Sequence, residues 1–447
     1  MACPILAVLS LLVSATPHYD PFAWLTWGRE IAHLDMARTL SGPSWKPLPV
    51  LLTIPLSLLG SAAPAAWLVL ARTGGLLALV FAYRLGKRLS SPAAGVTAAA
   101  MLVLIPGLFR ELALGGELSL LVVLVLAAIE RHLCGRCSQA LILGFAAALL
   151  RSEVWPFLGL YGLWAWRAKA VDRRLVAALF VSLPVLWFLP DWITLGDPLR
   201  GAAVARASTE AGTPALMDHP ALEVVNRAYQ LLPLSLHLLA GVAVALGLRR
   251  RHWPVVALGG IAVAWITLVA VMTKLGGYPG LSRFLVPAAA LVCLLAGIGA
   301  ANLVELPDSR GPRLAVSVLV LAALVFAGAS RRTGLVEEAR MGRAWARVAG
   351  DLPGAVRLAG GADPVACRRP VLNHAAQTEL AWILRLPISG IRTRIDGPGV
   401  VFVTEDRVAN VPPTATVELP RRTLGRTDDW TVQEVGTPPS EGDCPGR

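Results

Sequence analysis

The chain has 447 residues, of which 55% are hydrophobic and only 16% are charged. Its mean hydropathy of +0.61 excludes an ordinary soluble domain of this length and is typical of a membrane protein. The formal net charge is +12. In a membrane protein such an excess reports topology and contact with anionic lipid, so it does not predict a nucleic-acid partner.

Apolar segments recur along the first three quarters of the chain. A bilayer core about 30 Å thick needs roughly 20 apolar residues per helix, and about eleven segments approach that length if the shorter ones are included. They are residues 2–15, 64–83, 92–109, 118–129, 138–150, 154–166, 175–190, 231–248, 253–273, 284–304 and 314–330. The sequence therefore predicts an all-α polytopic membrane domain over residues 1–330. The first segment can also be the h-region of a signal peptide, although the positively charged n-region is missing.

Two short stretches depart from the pattern of long spans. Residues 138–150 and 154–166 flank Arg151 and Glu153, and such a pair of short runs predicts half-length helices beside protein or a water-filled cavity. Residues 47–60 contain three prolines, which disfavour a plain helix and predict a segment that lies in the membrane interface.

The cationic connecting segments predict the orientation. Fourteen Lys and Arg residues lie in five segments, YRLGKR, ERHLCGR, WRAKAVDRR, LRRR and DSRGPR. By the positive-inside rule these segments face the cytoplasm, and so does the amino terminus. An odd number of spans then leaves outer loops at residues 16–47 and 191–228, and an extracytoplasmic tail at residues 331–447. The expected location is the inner (plasma) membrane of a bacterium.

Residues 331–447 predict a small α/β domain. EEARMGRAWARVAGDL is amphipathic with a helical period, GVVFVT is typical of a buried strand, and TATVELPRRTLGRTDDWTVQEV suggests a closing hairpin. The tail has no Gly-rich phosphate loop and no acidic metal cluster in its sequence. We therefore expect it to cap a site in the membrane domain or to touch the substrate.

The six cysteines give weak signals. Cys134 and Cys137 form a single C-x-x-C near His132, and one such pair is weak evidence for zinc. Cys367 and Cys444 both lie in the tail, where an oxidising environment would allow a disulfide. The sequence predicts no resident metal from these residues.

Asp20 is the leading candidate for a catalytic residue. It lies in the loop over residues 16–47, directly after the first apolar segment, and ionisable residues at the membrane edge are costly and usually functional. A stripe of Trp24, Trp27 and Ile31 predicts that the following helix lies in the membrane interface. The carboxylate can act as a general base or as the N-cap of that helix, and both roles stay open.

Other charged residues lie near the same predicted membrane face. Lys46 can hold a phosphate as a point charge or extend to lipid headgroups. Arg110 lies seven residues before Glu117, and the two lie at the ends of adjacent segments. Glu117 can bind an acceptor sugar or a divalent metal, or it can form an ordinary ion pair with an arginine.

Further candidate substrate-binding residues lie later in the chain. Arg151 and Glu153 form the tip of the short-helix pair, where they can face a cavity or pair structurally. Lys274 and Arg283 flank GGYPGLS, which contains Tyr278. Basic groups near a helix start can bind the phosphate of a lipid-linked substrate, although both can also be interfacial anchors.

Four fragments suggest a family. They are SWKPLPVLLTIPLSLLG, AWLVLARTGGLLALVFAYRLGKRL, LLRSEVWPFLGLYGLW and GYPGLSRFLVPAAAL. Together with the loop aspartate they resemble bacterial GT-C superfamily glycosyltransferases, and more narrowly the mannosyltransferase-like membrane proteins of actinobacteria. The resemblance covers about residues 16–300.

This resemblance implies a multispanning enzyme that takes a sugar from a polyprenyl phosphate carrier and transfers it outside the cytoplasm with inversion. By position, Asp20 matches the loop aspartate proposed as base, Glu117 falls near an acidic group that opens a later span, and Arg283 matches the basic residue of the R-(F/Y)-L-x-P fragment. The implied acceptor is an envelope glycan, lipid or protein. No cofactor is certain, and a divalent metal stays open. The alternative function is a transporter or flippase of lipid-linked sugar or polysaccharide.

Overall fold

The computed structural model describes residues 2–34, 41–207, 212–406 and 413–437. Within these ranges the chain forms 18 α-helices and, near its carboxyl end, five short strands. The helices are α1 Ala2–Leu9, α2 Tyr19–Ala32, α3 Pro47–Ser57, α4 Ala63–Leu89, α5 Pro92–Leu102, α6 Leu108–Leu114, α7 Leu118–Leu133, α8 Cys137–Ala148, α9 Trp155–Arg167, α10 Arg173–Leu195, α11 Arg200–Ala207, α12 Pro220–Gln230, α13 Leu234–Arg249, α14 Trp253–Gly276, α15 Val286–Glu305, α16 Arg310–Leu358, α17 Ala362–Cys367 and α18 Gln377–Leu384.

Five helices in these ranges are long and apolar enough to cross a membrane, namely α4, α10, α14, α15 and α16. The number rises to seven if each of two bent pairs is one span, α6 with α7, bent by 112°, and α12 with α13, bent by 93°. Shorter apolar helices include α1, α3, α5 and α8. Every predicted apolar segment overlaps a helix, and the predicted all-α polytopic fold class is confirmed.

α15 forms the centre of the bundle. Its most apolar window is 94% buried, whereas the corresponding windows of α10 and α16 are 17% and 11% buried and leave apolar faces for lipid. A Cβ atom at Gly299 would lie 1.9 Å from the Leu239 carbonyl oxygen, and one at Gly297 would lie 2.5 Å from that of Ala94. These glycines therefore allow α15 to pack closely on α5 and α13.

The predicted segment 92–109 is helical only to Leu102. Pro106 has no backbone N–H to donate, and Gly107 has a left-handed φ of +78°. The chain continues as α6 and then bends into α7, which places Glu117 at the bend. The broken helix thereby brings a carboxylate out of a regular membrane span.

The prediction that the proline-rich segment before α4 avoids a plain helix was wrong, because α3 covers it. Pro47 and Pro49 lie in its first turn, where backbone N–H groups have no acceptor within the helix and prolines are tolerated. Pro55 lies two residues before the end and removes only one hydrogen bond. The start of α3 fixes the position of Lys46, which immediately precedes it.

The predicted pair of half-length helices is present. α8 and α9 have 12 and 13 residues and flank a one-turn 3-10 helix, Ser152–Val154. Arg151 and Glu153 lie at the tip of this hairpin and are only 6% and 1% exposed. The tip therefore lies inside the protein, where its charges need partners.

α16 connects the bundle to the tail. It runs for 49 residues without a break through residue 330, so the division of the chain at that point stays a prediction. The Glu338 carboxylate accepts hydrogen bonds from the Gly107 and Arg110 backbone N–H groups at 2.7 and 3.2 Å. Arg331 Nε donates to the Leu104 carbonyl at 3.2 Å. One helix thus supports the broken backbone between α5 and α6.

The sheet of the tail is small. Its strands are β1 Arg394–Ile395, β2 Gly399–Val403, β3 Thr414–Ala415, β4 Arg421–Arg426 and β5 Thr431–Val435. β2, β5 and β4 pair antiparallel in that order, and β1 pairs with β3 in parallel. The predicted strand GVVFV and the predicted closing hairpin, β4 with β5, are both present.

The tail docks on α2 through α18. Thr378 Oγ1 donates to the Tyr19 carbonyl at 2.7 Å. The Arg29 guanidinium donates to the Trp382 carbonyl at 3.0 Å and lies 4.8 Å from the centroid of the Trp382 ring. Burial lowers the pKa of Arg29 to about 10, so the guanidinium stays charged at neutral pH. The tail is therefore attached to the helix that carries Asp20.

The prediction of a membrane-interface stripe on α2 was wrong. Trp24 and Trp27 are fully buried, and their rings lie 5.4 Å from those of Trp67 and Trp45 respectively. Ile31 is partly buried. α2 contacts α3, α4 and α18, so its aromatic residues pack against protein and not against lipid.

Glu379 on α18 provides a pH test of the docked tail. Its Oε2 atom is buried without a hydrogen-bond partner in the described parts of the chain, and burial raises the pKa of the carboxyl well above its usual range. In the unfolded chain the same carboxyl has a pKa of about 4.3, so as the pH rises it loses its proton in the unfolded state before it does so in the folded state. The stability of the folded state that is present at low pH is therefore lost as the pH rises. We expect Glu379→Gln to remove this loss. In scanning fluorimetry, the midpoint temperature of unfolding of Glu379→Gln should lie further above that of the wild type at pH 8 than at pH 5.

Glu418→Gln is the matched control, because Glu418 is exposed on the same domain. It should keep the pH dependence of the wild type. A Glu379→Gln midpoint that falls with pH as steeply as the wild-type midpoint would show that Glu379 is not held protonated.

Candidate active site

Asp20 lies in the first turn of α2, one residue after its start. The N-cap of α2 is His18, so the alternative in which Asp20 caps the helix was wrong. Asp20 Oδ2 lies 3.4 Å from Lys46 Nζ, and 20% of the side chain is exposed. A carboxylate in the first turn is stabilised by the helix dipole. This one also stays partly exposed to solvent.

Lys46 joins Asp20 to Glu117. Its Nζ lies 2.6 Å from Glu117 Oε1, in addition to the longer contact with Asp20, and 5.4 Å from the centroid of the Trp24 ring. The residue is only 8% exposed. Two neighbouring carboxylates allow such burial, because a buried charge needs partners. Lys46 therefore points into the protein and does not extend to lipid headgroups.

Glu117 is held between two cations. Its Oε1 also accepts a hydrogen bond from Arg151 Nη1 at 3.2 Å, and Arg151 Nη2 donates to Glu153 Oε1 at 2.9 Å. Glu117 is 4% exposed. Of the alternatives left open for it, an ion pair is present, but with Lys46 and Arg151 and not with Arg110.

Tyr278 extends this network from the segment between α14 and α15. Its hydroxyl donates to Glu153 Oε1 at 3.0 Å, and its ring stacks on Phe284 with 4.5 Å between centroids. Arg151 Cζ lies 4.3 Å from the centroid of the same Phe284 ring. Burial and the Glu153 charge raise the pKa of Tyr278, so the phenol stays a hydrogen-bond donor.

Arg283 lies at the edge of the network. Its Cζ is 5.3 Å from the centroid of the Phe284 ring, and its charge acts on both Glu117 and Tyr278. The side chain is exposed. Among the residues that the structure describes, it forms neither a hydrogen bond nor an ion pair. Its guanidinium is thus a cation available to a ligand.

Two of the predicted binding residues lie apart from this group. Lys274 is exposed at the end of α14 and forms no hydrogen bond or ion pair with the network within the described ranges. The Arg110 side chain is 43% exposed and lies 4.0 Å from Glu111, which itself lies 3.9 Å from His18. The structure thus brings together Asp20, Lys46, Glu117, Arg151, Glu153, Tyr278 and Arg283, which we call the charged network.

Two residues beside Asp20 were not among the predicted site residues. The Tyr19 ring lies 4.3 Å from that of His374 in the tail, and Arg200 at the start of α11 interacts electrostatically with Tyr19. Tyr19 adjoins Asp20 in the chain, which was a signal in the sequence. Arg200 lies in the second long loop, where the sequence gives no sign that it approaches α2.

The residues present do not fit a divalent metal at Glu117. Lys46 Nζ lies between Asp20 and Glu117, in the position that a cation shared by two carboxylates would take. Across residues 2–34, 41–207, 212–406 and 413–437, no group of three or more His, Cys, Asp and Glu side chains could hold a metal, and this includes the C-x-x-C pair. The predicted disulfide from Cys367 involves Cys444, which lies outside the described residues.

Lys46→Met should reveal how strongly the charged network depends on this ammonium group. Removing one partner leaves buried carboxylates undercompensated, so we expect the free energy of unfolding to fall by roughly 3 kcal/mol. Denaturant unfolding of the purified protein in detergent measures the change.

Lys274→Met is the control, because Lys274 is an exposed lysine at the same end of the bundle. It should change the free energy of unfolding by less than about 0.5 kcal/mol. Equal losses in the two variants would contradict a structural role for the contacts of Lys46.

Comparisons with known proteins place this fold. The sequence matches no protein-family model and no curated protein sequence. Among solved structures, ArnT from Cupriavidus metallidurans bound to undecaprenyl phosphate has a TM-score of 0.57 at 13% identity, covering 97% of this chain and 96% of ArnT. Apo ArnT has a TM-score of 0.56 at 14% identity with the same coverage. The Archaeoglobus fulgidus oligosaccharyltransferase tethered with an acceptor peptide has a TM-score of 0.48 at 13% identity, covering 90% of this chain and 68% of its own.

Identities of this size show the fold and leave the activity to be tested. The likeness to ArnT extends over nearly the whole of both chains, bundle and tail together. The long apolar helices agree with a multi-pass membrane protein. The chain therefore has the GT-C fold that ArnT adopts.

Proposed function

We propose that this protein transfers a hexosyl or pentosyl group from a polyprenyl-phosphate-linked donor to an envelope glycan, lipid or protein acceptor, with inversion at the anomeric carbon. The observation that carries the proposal is the position of Asp20. Its carboxylate is partly exposed at one end of the charged network, whose three cations are the buried Lys46 and Arg151 and the exposed Arg283. A base and a site for an anionic leaving group thus lie side by side.

Arg283 and Lys46 supply the phosphate site of this proposal. Arg283 is exposed, and Lys46 can exchange its longer contact, with Asp20 at 3.4 Å, for a phosphate oxygen. Charge-assisted hydrogen bonds from such groups are the usual way in which proteins hold phosphate. The structure of ArnT with undecaprenyl phosphate makes a lipid phosphate the natural ligand to test.

The transfer requires one proton acceptor and one leaving group. The acceptor O–H gives its proton to Asp20, and the oxygen attacks the anomeric carbon of the donor sugar from the face opposite the phosphate. The bond between that carbon and the phosphate oxygen breaks, and its electron pair leaves on the polyprenyl phosphate. Arg283 and Lys46 stabilise the released anion. Contact with Lys46 uses Asp20 Oδ2, which leaves Oδ1 to receive the proton.

The orientation in the membrane is also part of the proposal. α4 begins near the site, where Trp67 contacts Trp24, and it ends at a cationic cluster in which Arg84 and Arg131 pair with Glu130. Positive charge at the end remote from the tail supports a cytoplasmic location for that end. The site and the tail then lie outside the cytoplasm, in a bacterial plasma membrane with a cytoplasmic amino terminus.

Asp20→Asn tests the base. We expect transfer to fall at least about 100-fold, because the amide cannot accept the proton. Wild type and variant are reconstituted in proteoliposomes with radiolabelled hexosyl and pentosyl polyprenyl phosphates and a bacterial envelope extract. Asp218→Asn is the control, since Asp218 is exposed in the second long loop and should keep the wild-type rate.

Two results would count against the proposal. Transfer by Asp20→Asn at the wild-type rate would show that a residue other than Asp20 is the base. Absence of transfer by the wild type with every donor would favour the transporter or flippase, which a lipid-linked sugar translocation assay in the same vesicles would then detect.

Arg283→Gln tests the phosphate site separately. We expect the variant to bind undecaprenyl phosphate about tenfold more weakly, because a charge-assisted hydrogen bond is lost. Native mass spectrometry of the detergent-solubilised protein measures the binding. Lys274→Gln removes a nearby exposed cation and should bind as the wild type does; equal weakening in both variants would indicate nonspecific attraction of an anionic lipid.

A further inference from the structure

Two buried polar atoms beside Asp20 lack partners. Within the part of the chain that the structure describes, Tyr19 Oη and Arg200 Nη1 are both shielded from solvent and form no hydrogen bond. The Arg200 guanidinium as a whole has no ion pair there, although its charge acts on Asp191 and Tyr19. Polar groups buried in this way are uncommon, and each calls for a specific explanation.

The two atoms come from different loops that meet at one place. Tyr19 begins α2 and adjoins the candidate base, whereas Arg200 begins α11 in the loop over residues 191–228. The loops are joined where Ser44 Oγ donates to the Gly201 carbonyl at 3.1 Å. Arg200 therefore lies close enough to act electrostatically on the Tyr19 phenol, and Tyr19 directly precedes Asp20.

The tail packs against Tyr19. The Tyr19 ring lies 4.3 Å from the His374 ring, and the Tyr19 carbonyl accepts a hydrogen bond from Thr378. Both tail residues lie at or beside the start of α18. A ligand held by Tyr19 and Arg200 would lie between the bundle and the tail, at the Asp20 end of the charged network.

The chemistry of the two groups selects a class of ligand. A guanidinium and a protonated phenol both donate hydrogen bonds, so they suit a ligand rich in oxygen acceptors. The neighbouring carboxylates of Asp20 and Asp191 would repel a further anion. Asp191 is itself buried and accepts a hydrogen bond from the Gly201 N–H. Neutral hydroxyl groups, as in a sugar ring, satisfy both conditions.

We infer that Tyr19 and Arg200 form a carbohydrate-binding subsite that orients a sugar ring against Asp20. The inference rests on the proposed function, in which Asp20 deprotonates a sugar or other hydroxyl group. The ring can belong to the acceptor or to the transferred sugar of the donor. Both present the same hydroxyl chemistry, and kinetics separate them.

The experiment compares Tyr19→Phe and Arg200→Gln with matched controls. Arg206→Gln changes an exposed arginine of the same helix, and Tyr229→Phe changes an exposed tyrosine of α12. Two binding assays need no catalysis. Saturation-transfer NMR uses a panel of mannosyl, galactosyl, glucosyl and arabinosyl oligosaccharides, and native mass spectrometry uses undecaprenyl phosphate without sugar.

We expect the wild type and both controls to bind at least one oligosaccharide, and Tyr19→Phe and Arg200→Gln to lose at least about tenfold in affinity for it. Undecaprenyl phosphate should bind all five proteins equally. Where the wild type transfers sugar, the transfer kinetics of the two variants identify the ring. If the subsite holds the acceptor, Tyr19→Phe and Arg200→Gln raise the half-saturating concentration of the acceptor extract. If it holds the donor sugar, they raise that of the polyprenyl phosphate sugar.

Failure of the subsite and failure of the proposed function give different results. A wild type that binds oligosaccharide through Tyr19 and Arg200 but transfers nothing refutes the proposed function and leaves the subsite intact. A wild type that binds no oligosaccharide, or variants that bind as tightly as their controls, overturns the subsite. Equal loss of undecaprenyl phosphate binding in Tyr19→Phe and Arg200→Gln also overturns it, because the residues would then serve the phosphate.

Discussion

The bridge made by Lys46 between Asp20 and Glu117 is the contact on which the site depends. It joins the start of α2, the start of α3 and the bend between α6 and α7 through one ammonium group. Arg151 continues the bridge to the tip of the α8–α9 hairpin. Each of these charges would be costly at membrane depth by itself, so the elements that carry them are stable only when they meet.

Much of the charged network could be predicted from the sequence, since ionisable residues interrupt otherwise apolar segments. Glu117, Arg151 and Glu153 stand out in this way. The pattern could not show which charges pair, because pairing depends on the bend at Gly115 and Glu117 and on the packing of distant helices. Lys274 and Arg110 have similar positions at segment ends, yet neither forms an ion pair with a member of the network among the described residues.

Contacts between the tail and the loops were beyond prediction for a different reason. Tyr19, Arg200 and His374 lie far apart in the chain, and none interrupts an apolar run. The tryptophans of α2 were misinterpreted because an aromatic stripe at helical spacing fits a membrane interface and a protein interior equally well. Packing against Trp67 and Trp45 decides between them, and the sequence of α2 alone does not contain that information.

The unbroken course of α16 has a mechanical consequence. At about 1.5 Å per residue, its 49 residues extend for roughly 74 Å, more than twice the thickness of a hydrocarbon core of about 30 Å. A continuous helix fixes the distance between the tail and the bundle, whereas a flexible linker would let that distance vary. Because Glu338 and Arg331 also hold this helix to the backbone before α6, lifting the tail would disturb the bend that carries Glu117. For the lipid-linked substrate proposed above, we therefore expect entry from the side, in the plane of the membrane and beneath the tail.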